Sequence, residues 1–493
     1  MARKSGISRR RFISNTGRAA AGASMFPYIN TQRTKDNPPN IIFIICDQMR
    51  GDAIGAMGNK NARTPVMDRL SKEGVMMRNN FSNNPVCLPS RMSMFSGLYP
   101  QQTGVVNNIT PNAEWLKFEK SLPWYLKQAG YTLGYFGKNH TYTNSELTNF
   151  DKTGIRDREE CRAYSKYVPP HWHSDIFWPD EDCFPRKNTD EAIDFINQSS
   201  PSQPFFLCVS YFDPHPPYMA TAEYTSRYCA ADMKLPVYID PALLGKRLAN
   251  QQRALHYDRI PEADLKETLR YYHASVEWGV DNPMGRIIKT LEEKGIAGNT
   301  ILVFTSEHGD FMGHHHMVRK GMFLYDALLH VPMIWYAPGY IKKGLNLNSM
   351  TQNVDIFPTL LDFAGLKIPD QIAGRSLKNI LQGQPDKNDN NEVFAQASYS
   401  DLPDGYWENP EPYFNPKSEI PFHSRIENLT WKDEKQTVMI RDRNWKLILS
   451  ETHDPELYNV EGKHFETRNL YGQSQYRQKF LELEKKLDAF KKW

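Results

Sequence analysis

No stretch of the 493-residue chain approaches the roughly 18 consecutive apolar residues that a membrane-spanning helix needs; the cleanest apolar run, residues 41–46, is far shorter. That excludes an integral membrane span. Cysteine is scarce, six in all, too few for a disulfide framework in a chain of this length. A charge excess is missing too. Lys and Arg number 60 against 57 Asp and Glu, a net +3, without the basic surplus of a dedicated nucleic-acid binder. No internal repeat is visible. With 40% hydrophobic and 24% charged residues the composition is that of a folded protein, not a disordered chain. The length favours roughly two to four domains, or one large α/β body with a smaller companion.

The first 35 residues read as an address. Ser8-Arg9-Arg10-Arg11-Phe12 precedes a weakly apolar Ala/Gly stretch at 19–23, and the first acidic residue is Asp36. A basic start followed by small apolar residues is an export pattern, and the paired arginines before Phe resemble the twin-arginine motif of proteins exported already folded. The expected destination is the periplasm or the exterior.

From residue 36 the chain alternates strand and helix patterns. Strands are expected at 41–45, 131–136, 205–212, 300–305 and 331–336, and helices at 64–73, 121–128, 190–197, 262–294 (broken near Pro283) and 356–363. This alternation predicts a large, mostly parallel sheet flanked by helices, over residues 36–385. Residues 141–190 and 215–260 read as long insertions over one face, and 365–392 as a linker. Residues 386–493 predict a smaller α+β subdomain, with an antiparallel pair at 437–440 and 445–449 and an amphipathic helix at 477–491.

Four of the expected strands end in polar clusters. They are Cys46-Asp47-Gln48, Gly137-Lys138-Asn139-His140, Asp213-Pro214-His215 and Ser306-Glu307-His308-Gly309-Asp310. Ligands of open α/β sheets sit beyond the carboxyl ends of the strands, so four clusters at equivalent ends predict one shared polar site. Asp47, Gln48, Glu307 and His308 form an oxygen-rich donor set that suits Ca²⁺, or Mg²⁺, better than Zn²⁺. Lys138, His140, His215 and Lys320 add positive charge and donors. A divalent ion with cationic side chains matches the charge that develops on a tetrahedral anion, as in sulfate or phosphate ester chemistry.

Cys87-Leu88-Pro89-Ser90-Arg91, with Gly97 following, resembles the signature of the type I, formylglycine-dependent sulfatases of the alkaline-phosphatase-like superfamily. The resemblance extends over about residues 39–470. It includes the metal motif around Asp47-Gln48, the Gly-Lys-x-His and Asp-Pro-His motifs, the second metal motif from Ser306 to Lys320-Gly321, and the tail segments at 455–459 and 466–470. Many members have paired aspartates where this chain has Asp47-Gln48, and Asp-His or Asp-Asn where it has Glu307-His308.

The resemblance implies a sulfuric ester hydrolase whose Cys87 is converted to formylglycine by a sulfatase-maturing enzyme. Asp47, Gln48, Glu307 and His308 then hold the metal beside residue 87. Formylglycine, hydrated to a geminal diol, attacks sulfur. Arg91 and Lys138 hold the diol and the sulfate oxygens, His215 and Lys320 bind sulfate and protonate the leaving alcohol, and His140 takes a proton from the second hydroxyl. Sulfated carbohydrate, including glycosaminoglycan, is the expected substrate. Two alternatives stand beside it: a phosphonate monoester or phosphodiester hydrolase on the same site, and a non-catalytic glycan-binding relative.

Other features read more plainly. His314-His315-His316 lacks metal-protease spacing, and three consecutive histidines cannot all face one ion. Cys46 and Cys208 read as buried strand thiols, and Cys161 and Cys183 are candidates to pair. The aromatic stretches at 164–178 and 406–414 suit either sugar stacking or loop packing.

Overall fold

A computed structural model describes residues 38–108, 116–156, 173–176, 179–236, 260–386, 391–398, 436–461 and 466–491. The export pattern, Cys161, most of the first aromatic stretch and all of the second lie outside these residues.

Strands β1 (Asn40–Cys46), β2 (Val75–Phe81), β3 (Thr132–Lys138), β4 (Lys152–Arg156), β5 (His173–Ile176), β6 (Phe205–Tyr211), β7 (Tyr218–Thr221), β8 (Thr300–Ser306), β9 (Met333–Tyr336) and β10 (Leu345–Gln352) build the main body. Eight form one sheet in the order β10-β2-β9-β8-β1-β6-β3-β4, parallel except for β9, while β5 and β7 pair separately. β1 explains the unbroken apolar run. Side chains alternate across a strand, so Ile42, Ile44 and Cys46 enter one core while Ile41, Phe43 and Ile45 enter the other. Helices Pro65–Glu73, Phe184–Gln198, Glu262–Val276 and Asn282–Glu293 cover the first face, and Cys87–Ser96, Leu122–Gln128 and Ile356–Phe363 the second.

Several elements differ from the sequence-based expectation. The stretch 262–294 is divided near Pro283 as expected, but it stays helical across the division. A π-helical turn, Glu277–Asp281, joins the two helices, and Pro283 sits early in the second. The turn brings Gly279 against Asp213, so close that a Cβ there would lie 2.4 Å from the carboxyl carbon. The helix expected at 190–197 starts at Phe184, with Pro185 in its first turn. Within the supposed insertion, Lys152–Arg156 is an edge strand beside β3. β2 and β10 carry no clean strand pattern in the sequence because polar residues interrupt them, Arg78-Asn79-Asn80 in one and Asn346, Asn348 and Ser349 in the other. In the stretch read as a linker, Leu377 and Leu381 are fully buried.

Strands β11 (Val393–Ala397), β12 (Thr437–Arg441), β13 (Trp445–Ser450) and β14 (Glu456–Asn459) form a second, antiparallel sheet. Helix Arg477–Lys491 buries Leu483, Leu487 and Phe490 in a core shared with Tyr99 and Val354 of the main body. A buried ion cluster also joins the two sheets' surroundings. Lys446 Nζ lies 2.7 Å from Asp326 and 2.5 Å from Glu466, and Arg441 Nε donates to Asp326 at 2.8 Å. Burial pushes the Asp326 carboxyl up, but Arg441 and Lys446 outweigh it and hold the group down to about 2. Removing one partner of such a cluster strands the others, so Lys446→Ala is expected to lower the unfolding free energy by about 3–5 kcal/mol in urea melts. A change below about 1 kcal/mol would show that the cluster contributes little.

Candidate active site

The strand order β8-β1-β6-β3 places four parallel carboxyl ends side by side, and these are the four ends that carry the polar clusters. β1 delivers Asp47 and Gln48, β3 delivers Lys138 and His140, β6 leads to Asp213 and His215, and β8 delivers Glu307 and His308. Gly137 is required where β3 meets β6: its φ is +100°, and a Cβ would lie 2.0 Å from the Ser210 carbonyl oxygen.

Cys87 opens the buried helix Cys87–Ser96 at the edge of this site. Its Sγ lies 2.8 Å from Lys320 Nζ, 3.3 Å from His308 Nε2 and 3.8 Å from Asp47 Oδ1. His140 also lies close to the Cys87 side chain. Burial and the nearby Glu307 push the thiol up, but Lys138, Lys320 and His308 together hold it well below the ordinary thiol value.

The rest of the signature anchors Cys87 to β8. Ser90 Oγ donates to the Glu307 carbonyl at 2.5 Å. Arg91, fully buried, donates through Nε to the Glu307 carboxylate, through one terminal nitrogen to Ser210 Oγ at 3.0 Å, and through the other to the Tyr135 hydroxyl and the Lys138 carbonyl, both at 3.4 Å. Its donors are therefore directed at the protein. Arg91 holds Glu307 in place.

Lys138 Nζ bridges the two carboxylates, donating to Asp47 Oδ2 and lying 3.1 Å from Glu307 Oε1. Burial pushes Asp47 up, and the thiol beside it adds to that, but Lys138, His215 and Lys320 hold it well below the carboxylate range. His215 is half-buried, and its Nδ1 donates to the Pro216 carbonyl at 2.7 Å. Burial, with Lys320 and Lys138, lowers it to about 3 against the opposing pull of Asp47, so it is neutral at pH 7. Asp213 accepts from Ser275 Oγ at 2.9 Å, and burial raises its carboxyl to about 7.

One oxygen or sulfur or nitrogen from each of Asp47, Cys87, Glu307 and His308 lies within 4.8 Å of the others, and all four residues are buried. Two further observations fit this set to a hard divalent cation. His308 Nδ1 faces the Gly309 carbonyl at 2.9 Å, an acceptor only, so Nδ1 carries the proton and Nε2 presents its lone pair to the cluster. Gln48 Oε1 is buried and without a hydrogen-bond partner. All ten predicted site positions thus come to the carboxyl edge or to the Cys87 helix and the Lys320 loop beside it. The histidine run does not. His315 packs on Tyr325 with ring centroids 4.9 Å apart, His316 Nε2 lies 3.1 Å from the Ile260 carbonyl, and His314 sits by Arg50 and Asp52. Sequence reasoning gave no role to Asp310 or Tyr218, which contact Gln48 directly or through one another.

Known proteins bear on this geometry. The family profile described as Sulfatase matches residues 39–366. An arylsulfatase of Clostridium perfringens is 31% identical over 382 residues, covering 70% of this chain and 78% of the relative. An N-acetylglucosamine-6-O-sulfatase of Bacteroides thetaiotaomicron is 25% identical, covering 96% of this chain and 89% of its own. Among solved structures, the phosphonate monoester hydrolase of Agrobacterium radiobacter superposes with a TM-score of 0.73 over 92% of this chain and 95% of that one, at 23% identity, which shows a shared fold.

Proposed function

The chain belongs to the sulfatase family and is a hydrolase, and we propose that it cleaves sulfate esters of carbohydrate with a formylglycine made from Cys87 as nucleophile. The observation that carries this reading is the placement of Cys87: buried at a helix start, within 4 Å of Lys320, His308 and Asp47, with Ser90 and Arg91 fastening it to Glu307. The sugar sulfatase among the relatives supports carbohydrate as the substrate class. The reading includes a maturation enzyme that modifies Cys87 and twin-arginine export to the periplasm, as residues 8–12 suggest.

Asp47, Gln48, Glu307 and His308 would hold Ca²⁺ or Mg²⁺. Such an ion supplies positive charge against the oxygens of the sulfate ester and the attacking group. The protein's own groups do the rest. Lys138 and Lys320 bring ammonium groups to the same space, Lys138 fixed between Asp47 and Glu307 and Lys320 against residue 87. One hydroxyl of the hydrated formylglycine attacks sulfur as the alcohol leaves; His140, close to residue 87, then takes the proton of the second hydroxyl, the bond to the sulfate breaks, and sulfate departs as the aldehyde re-forms. His215 presents Nε2, since Nδ1 is committed to Pro216. Neutral in the free protein, it gains a proton more readily beside the anionic sulfate, and then protonates the departing alcohol oxygen.

His215→Ala is expected to slow hydrolysis of a sugar sulfate by about 10²–10⁴-fold and that of an activated aryl sulfate far less, because only the poor leaving group needs the proton. Equal losses on both would remove the acid role. The substrate class is tested with paired esters of one alcohol: kcat/KM for glucosamine 6-sulfate is expected to exceed that for the 6-phosphate. The reverse order would assign the site to phosphoester chemistry.

A further inference from the structure

Gln48 stands where a second carboxylate would add charge to the donor set, and its surroundings explain the amide. The residue is fully buried with φ of +69°, and Nε2 donates to Asp310 Oδ2 at 2.6 Å. The same Oδ2 accepts from the Tyr218 hydroxyl at 2.6 Å, and Oδ1 accepts from the Met312 backbone N–H at 2.8 Å. The Tyr218 ring in turn meets Tyr272 edge-on, with centroids 5.7 Å apart, and the Tyr272 hydroxyl lies 3.4 Å from the Gln48 carbonyl oxygen.

A carboxylate only accepts, so the face of Gln48 turned to Asp310 must be its NH₂. The amide cannot flip without placing Oε1 against a carboxylate oxygen. Oε1 is left as the buried, unpartnered atom of the pair. We propose that Asp310, itself fixed by Tyr218 and Met312, is a positioning residue that locks the Gln48 amide so that Oε1 is offered to the cation, and that Gln48 and Asp310 are a matched pair in which a carboxylate at 48 is excluded by the one at 310. This rests on the reading of Asp47, Gln48, Glu307 and His308 as cation ligands.

Residues that orient metal ligands affect affinity by about 10–100-fold. The test is calorimetric titration of Ca²⁺ into chelator-treated protein, with circular dichroism to confirm folding. Asp310→Asn, which offers either an acceptor or a donor to Gln48, is expected to weaken binding by about 10-fold or more. Gln48→Glu is expected to weaken it as well, despite the added charge, because two carboxylates then meet at the 2.6 Å contact. The double variant Gln48→Glu with Asp310→Asn is expected to bind at least about tenfold tighter than Gln48→Glu alone, a rescue that a merely structural role for Asp310 does not produce. Tyr218→Phe, which removes one hydroxyl, is expected to weaken binding by a few-fold and decides the matter if Asp310→Asn does not fold. Ca²⁺ binding in the wild type with no loss in Asp310→Asn or Tyr218→Phe, or no rescue in the double variant, overturns the lock alone. No Ca²⁺ binding by the wild type overturns the cation site and the lock together.

Discussion

Cys87→Ala is expected to lower turnover by on the order of 10⁶-fold, the scale of losing an enzymic nucleophile, while the protein stays folded. The side chain is small and sits at the start of a helix whose other contacts are intact, so truncation leaves only a minor cavity. Lys320 loses its nearest partner and His308 a contact at 3.3 Å, but Lys320 keeps His308 at 3.1 Å and Asp47 at 3.9 Å, and His308 keeps the Gly309 carbonyl at 2.9 Å. Steady-state kinetics on a sulfated sugar, with a thermal melt as control, check both halves. Activity above about one per cent of wild type in a folded variant would remove Cys87 from the chemistry.

Arg91→Ala is expected to damage both stability and activity. The guanidinium is fully buried, and it is the counter-charge that meets one oxygen of Glu307 while Lys138 meets the other. Its removal leaves half of a buried carboxylate uncompensated, a loss of about 3–5 kcal/mol. Arg91→Lys is expected to rescue little. An ammonium keeps the charge but not the planar fork that reaches Glu307, Ser210, Tyr135 and the Lys138 carbonyl together. Urea unfolding and kcat/KM measured on both variants decide this. A lysine variant with wild-type stability and activity would show that charge alone suffices and that the fork is dispensable.

The site was legible because strand ends announce themselves in sequence. β1 is an apolar run that stops at Asp47, and β8 one that stops at Glu307; strand and punctuation are both local signals. The order of the strands was not legible. β9 runs antiparallel between β2 and β8, and four buried residues carry no mark of direction. The same limit hid how Arg91 is used. Its motif marks it as part of the site, but whether it reaches outward to sulfate or inward to Glu307 depends on a residue 216 positions away. Asp310 and Tyr218 stood in plain view within or just beyond the polar clusters. Their meeting at Gln48 is a property of the fold, since nothing in the spacing of 48, 218 and 310 links them.

The most direct test of the whole account is the mass of the peptide containing residue 87, from protein produced with a sulfatase-maturing enzyme. Formylglycine is expected there, seen as the aldehyde and its hydrate in place of the cysteine thiol. An unmodified thiol at residue 87 under those conditions would contradict it, leaving the fold and the polar site but not the proposed nucleophile.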